Sequence, residues 1–169
     1  MNTIASRGRE HCLFVRGGST FALSTEVARE IAGPRPVTPL PHAPQALLGA
    51  LNLHGEILGL VSLDRALGFE GRGDGRETIV LCRRELKFAV EVDRTTGIRP
   101  LLDEHICALP QARAIRRELV RGEANIDGSP VVVLDEDALL RWILESMAAG
   151  VHPPPPLQPT GSARDRIFP

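Results

Sequence analysis

Along the chain, short apolar or alternating blocks are broken by turn residues at intervals of roughly ten positions, the rhythm of short strands. "CLFVRGGSTFAL" (12–23) reads as two strands about a Gly17-Gly18 turn, because glycine accepts the positive φ of a tight hairpin. "STEVAREI" (24–31) offers Ser24 as an N-cap with Val27, Ala28 and Ile31 at helical spacing, and predicts a short helix. Pro34, Pro36, Pro39, Pro41 and Pro44 then exclude a helix or a central strand, leaving an extended edge or a turn-rich crossing. In "GALNLHGEILGLVSLDRALG" (49–68) two apolar runs flank a tight corner that carries one unusual polar residue, His54. The runs at 47–53 and 57–63 are longer than one small strand pair needs. They predict a groove between two β units that would take a helix or a barrel edge.

"EGRGDGRE" (70–77) is a Gly-rich loop, and "TIVLCR" with "LKFAVEVD" forms the next hairpin. "TGIRPLL" is a further strand, and residues 103–118 are irregular to weakly helical. "LVRGEANIDGSPVVVLD" places two strands about Asp127-Gly128, a strong hairpin signal. Asp135 then caps "EDALLRWILESMA", with Leu139, Trp142, Ile143 and Met147 on one helical face. Residues 1–10 are expected to be loose, 11–148 to form the folded domain, and the proline-rich 149–169 to be a disordered tail. About nine short strands with small edge helices make an all-β barrel or sandwich.

Composition narrows the function. An apolar fraction of 43% supports a real core, while a net charge of −1 and a pI near 6.5 give no electrostatic case for nucleic acid or an anionic membrane. With no long apolar run and no signal-like start, a cytoplasmic protein without direct membrane insertion is expected. Cys12, Cys82 and Cys107 are odd in number and widely spaced, and read as reduced, half-buried thiols. "GRGDGR" lacks the Lys-Ser/Thr of a phosphate loop. The five histidines show no i,i+4 pair, and no serine sits in a G-x-S-x-G elbow. Neither a catalytic site nor a metal or cofactor is expected. The arginines of "RAIRRELVR" (113–121) lack interleaved aromatics and are diluted by Glu118, so they read as a solvated face. A nucleic-acid-binding small barrel is the remote alternative.

The residues of "FALSTEVAREI…VTPLPHAPQALLGALNLHGEILGLVSLDRALG" resemble the CheW-like domain of bacterial chemosensory adaptors. The family pattern is an aromatic-small-aliphatic strand, a Glu-Ile helix end, a "plPxaP" crossing and "GxxNLRGxIxPvvDLRxxLG". Phe21, Glu30, Ile31, Pro39, Pro41, Pro44, Gly49, Asn52, Leu53, Gly55, Ile57, Leu63, Leu67 and Gly68 fit it without a gap. Val92-Asp93, Ile98, Gly122, Asp127-Gly128, Leu134-Asp135 and Leu139-Leu140 extend the likeness to about residue 148.

The resemblance implies two five-stranded SH3-like barrels side by side, with short edge helices, a C-terminal helix and no catalysis. It implies an adaptor between the regulatory domain of a CheA-type histidine kinase and the cytoplasmic tip of a chemoreceptor. Apolar side chains in the barrel seams would then carry most of the affinity. The departures are His54 for the family Arg, Gly59 for its Pro, Ser62 and Asp64 for the Asp and Arg of "DLR", and Ala28 for an aliphatic. The family's Glu and Arg lie together near the receptor-facing surface, which places Glu30 beside His54 and exchanges a permanent guanidinium for a titratable imidazole. Partner-binding residues carried over are Ala28, Glu30, Ile31, Asn52, His54 and Gly55. With four altered positions in one motif, the alternative is a relative that binds only one partner in a non-flagellar pathway such as motility or biofilm control.

Overall fold

The computed structural model describes residues 8–68, 75–111 and 113–149. Residues 1–7, the core of the Gly-rich loop at 69–74 and the tail from 150 lie outside the described residues. The strands are β1 (Arg9–Arg16), β2 (Ser19–Ser24), β3 (Ala28–Ala32), β4 (Val37–Thr38), β5 (Leu47–Leu53), β6 (Glu56–Val61), β7 (Glu77–Arg83), β8 (Leu86–Val92), β9 (Arg94–Leu101), β10 (Val120–Ile126) and β11 (Ser129–Leu134). Helix α1 (Leu63–Leu67) follows β6, α2 (Glu136–Ala149) follows β11, and 3-10 turns occupy Asp103–His105 and Arg117–Leu119.

These strands form two sheets. One, of order β10-β11-β2-β1-β9, uses both ends of the chain; the other, β3-β7-β8-β6-β5-β4, uses its middle. Both share a plan in which two antiparallel hairpins meet through one parallel pairing of their second strands. Val132 stands opposite Phe21 where β11 meets β2, and Leu60 opposite Ala89 where β6 meets β8. The mostly-β, two-unit expectation holds, with the refinement that neither sheet closes into a ring among the described residues. Side contacts bring the ends together instead. A lone bridge between Cys107 and Glu123 ties the segment after β9 to β10. It requires Gly122, where a Cβ would lie 2.3 Å from the Cys107 carbonyl oxygen.

Two expectations are corrected at the N-terminal end. Arg9 and Glu10, read as loose, belong to β1 and stand opposite Leu101 and Pro100 of β9. The helix read over 24–31 does not form: its second half lies in strand β3, whose Ile31 faces Ile79 of β7. Ser24 is no helix cap: its Oγ accepts from the Glu26 N–H at 3.1 Å and its carbonyl from Val27 at 3.0 Å, a local turn. An eight-residue helix is marginal in water, whereas β3 gains a full ladder against β7. Asp135, by contrast, does cap α2, its Oδ1 accepting from the Ala138 N–H at 2.8 Å. Leu139 and Ile143 are buried beneath it, and Trp142 and Met147 pack against the same cluster.

The largest core cluster lies between the sheets. Phe14, Phe21 and Leu23 of one sheet meet Val61, Ile79, Leu81, Val90 and Val92 of the other, with Leu63 and Leu67 of α1 and Leu139 and Ile143 of α2. The expected binding seam is therefore filled, among the described residues, by the protein's own side chains. The runs at 47–53 and 57–63 mostly serve the interior as well, through Leu51, Leu53, Leu58 and Leu60.

Arg16, at the end of β1, adds an ionic tie across the sheets. Its Nε and Nη2 donate to both Asp64 carboxylate oxygens at 2.8 and 2.6 Å. Its Nη1 lies 3.4 Å from Glu91 and 3.3 Å from Asp93. Arg16 is 5% exposed, and the hydrogen bonds to Asp64 hold its guanidinium above its already high range.

The arginines of 113–121 are largely absorbed by the fold. Arg113 pairs with Glu123 at 2.9 Å and Arg121 with Asp103 at 2.8 Å, while Arg117 donates to the carbonyls of Pro110 and Leu109. Of the cysteines, which form no disulfide, Cys12 is buried, Cys82 partly buried and Cys107 exposed. Burial pushes the Cys12 thiol up and makes it unreactive.

His11 is buried in β1 between Ser24 and Arg99. Its Nδ1–H donates to the Arg9 carbonyl at 2.8 Å, and its Nε2 meets no hydrogen-bond partner among the described residues. Burial pushes its pKa below 6.5, the Arg9 carbonyl and Glu136 raise it, and Arg9 and Arg121 lower it. The unfolded chain thus takes up a proton at a pH where the folded one does not. Stability is full above about pH 6.5 and falls as pH drops toward the lower folded value. Urea unfolding at stepped pH values should show this loss, with a shallower decline in His11→Gln.

Candidate functional site

The β5–β6 turn is built by its sequence. Leu53 stands opposite Glu56, leaving His54 and Gly55 as the two turn residues, at φ 52° and 87°. This is the doubly left-handed arrangement of a hairpin turn, which glycine and, less readily, histidine accept. Asn52 Oδ1 closes the corner by accepting from the Gly55 N–H at 2.9 Å. The β10–β11 turn repeats the device, with Asn125 Oδ1 accepting from the Gly128 N–H at 3.0 Å. Asn52 and Gly55 therefore fix the direction in which His54 projects.

His54 projects toward β3. Its Nε2 lies 2.7 Å from Glu30 Oε1, with the imidazole 69% and the carboxylate 37% exposed. Since β3 begins the sheet order and β5 stands near its other end, the pair links the two ends of the rolled sheet. The contact lies between a strand and a hairpin, not between a helix and a hairpin as the sequence reading had it. Beside it, Glu56 pairs with Lys87, raising the lysine pKa.

Two exposed apolar side chains belong to the strands that carry these groups. Ile31, next to Glu30 in β3, is 48% exposed, and Ile57, opposite Asn52, is 67% exposed. Glu30 and His54 meet directly, Asn52 and Gly55 shape the turn that holds His54, and Ile31 follows Glu30 in β3. Ala28 is set apart by a bulge between it and Glu30, and packs against the core between the sheets. Sequence reasoning did not select Ile57 as a surface residue. The alternation of "EILGLV", with Leu58 and Leu60 inside, was the available signal.

The Glu30–His54 contact is the placement the family resemblance implies. The CheW-like domain pattern matches residues 10–144. The chain belongs to the CheW-like domain family. It is 30% identical over 139 residues to the chemotaxis protein CheW of Rhizobium meliloti strain 1021, covering 80% of this chain and 90% of that protein. It is 30% identical over 134 residues to a probable chemotaxis protein CheW of Rhizobium etli, covering 78% and 86%. The crystal structure of the scaffolding protein TtCheW from Thermoanaerobacter tengcongensis shares the fold, with a TM-score of 0.70 at 20% identity over 82% of this chain and 92% of that one.

Three departures from the CheW-like pattern have local structural work in this chain. Ser62 caps α1, its Oγ accepting from the Arg65 N–H at 3.3 Å. Asp64 grips Arg16, and a Cβ on Gly59 would stand 3.1 Å from Leu47 Cδ2. Among the described residues no His, Cys, Asp and Glu side chains gather into a metal-holding group, and no helix is long and apolar enough to cross a membrane.

Proposed function

We propose that this protein is a non-catalytic chemosensory adaptor that couples the cytoplasmic tip of a chemoreceptor to the regulatory domain of a CheA-type histidine kinase. The reading is supported by family membership and by the names of the rhizobial relatives. The observation that carries it is the exposed Glu30–His54 pair, with Ile31 and Ile57 exposed on the strands beside it. Exposed polar groups and exposed apolar side chains on the same strands suit recognition of another protein, the polar groups setting specificity and the isoleucines supplying area to bury. We assign receptor docking to Glu30, Ile31, Asn52, His54 and Gly55, with Ile57 added and Ala28 supporting β3 from the core side. The folded unit of the adaptor is taken as 9–149, from the start of β1 to the end of α2.

Separate titrations with the kinase regulatory domain and with a receptor-tip fragment test this. Binding to both is expected, and binding to neither at tens of micromolar would remove the role. Glu30→Arg should weaken the receptor arm about tenfold or more, by removing the partner of the His54 ring and reversing the charge at the corner, and leave the kinase arm unchanged. The single-partner alternative draws on the departures at His54, Gly59, Ser62 and Asp64. Since Ser62 and Asp64 are engaged within the fold, only His54 bears on docking among the polar ones. Binding to the kinase alone, or to the receptor alone, would favour it.

A further inference from the structure

A second surface lies away from the Glu30 edge. An open groove of ≈ 570 Å³ runs beside α2, lined by Pro44, Gln45, Ala46, Arg65, Arg116 and Trp142, with Ser146 and Ala149 at the helix end. Its floor is apolar: Trp142 packs on the core between the sheets, and Ala46 is buried. Its polar rim is cationic. The Arg116 guanidinium lies over the Trp142 ring, 5.6 Å from the centroid, with Glu118 3.8 Å away at the nearest approach. Arg65 is exposed and donates to the Gln45 carbonyl; no carboxylate among the described residues lies within ion-pair distance of it. Its neighbour Asp64 is turned away into Arg16. No acidic residue lines the groove among the described residues.

We propose that this groove docks an extended peptide segment of a partner protein that alternates apolar and acidic side chains. Two guanidinium groups over an aromatic floor match that pattern. Carboxylates gain forked, charge-assisted hydrogen bonds from arginine, and an apolar side chain between them covers the indole face. A carboxylate here also competes with the ring for Arg116, so occupancy alters the surroundings of Trp142.

Trp142 is the only tryptophan of the chain, so its emission reports the groove directly. The full-length protein is titrated with a synthetic peptide alternating Leu and Glu, and with the same peptide carrying Gln for Glu. A saturable emission change is expected with the Glu peptide, weakened about tenfold in Arg65→Gln and weakened again by added salt. Equal binding of the two peptides, no effect of Arg65→Gln, or no emission change would overturn the proposal. So would a response that appears only after deletion of residues 150–169, which would assign the groove to the chain's own tail. Glu30→Arg should leave the titration unchanged, which separates this groove from the receptor-docking edge.

Discussion

Arg16→Ala should destabilise the protein by about 3 kcal/mol, the low end of what removing one member of a buried ion pair costs. The substitution leaves Asp64, Glu91 and Asp93 facing one another at the junction of the two sheets without their shared cation. Their side chains are 15–28% exposed, so water relieves part of the repulsion and keeps the cost from the top of the range. Arg16→Lys should recover only a fraction, because an ammonium cannot reproduce the two-pronged grip on Asp64. Adding Asp64→Asn to Arg16→Ala should recover part of the loss by lowering the stranded negative charge. Urea unfolding of the four proteins at neutral pH is the measurement. An Arg16→Ala midpoint equal to wild type would mean that the cluster contributes nothing to holding the sheets together.

Phe14→Ala should cost about 3–5 kcal/mol, through lost burial and the cavity left behind. Phe14 is wholly buried and stacks on Phe21, with ring centroids 5.7 Å apart and planes inclined by 23°. Because this pair sits where both sheets and α2 converge, the cavity opens at the joint and not within one sheet. Phe14→Leu should cost less than about 1.5 kcal/mol, as a swap that keeps most of the volume. Thermal and urea unfolding of both variants checks the ordering. A cost for Phe14→Ala below that for Phe14→Leu would show that the two sheets do not rely on this contact.

What the sequence made legible were features decided within a few residues. The hairpins about Gly17-Gly18 and Asp127-Gly128, and the helix capped by Asp135, all rest on short-range chemistry and all appear. The Glu30–His54 neighbourhood was reached only through the family resemblance, since the two residues are 24 apart and nothing in either segment names the other. Misreadings arose where distant strands decide. Val27, Ala28 and Ile31 stand at helical spacing, yet the ladder of β3 with β7, about fifty residues on, overrides it. Nothing in the sequence singles out Arg16 before the Gly17-Gly18 turn, because its three carboxylate partners are 48 to 77 residues away. The seam expected to grip partners turned out to be filled because alternation reveals which side chains are buried, not what buries them.

The order in which the strands are laid down has a consequence for biosynthesis. The β1–β2 hairpin leaves the ribosome before the middle sheet, and its neighbours β9 and β11 come after it. While residues 28–92 are made, both flanks of that hairpin stay bare, and Phe14 and Phe21 wait for the middle strands they pack against. Uncovered flanks invite pairing with other nascent chains. The strand order thus leaves the hairpin's two edges as the last of that sheet to find partners as the chain grows.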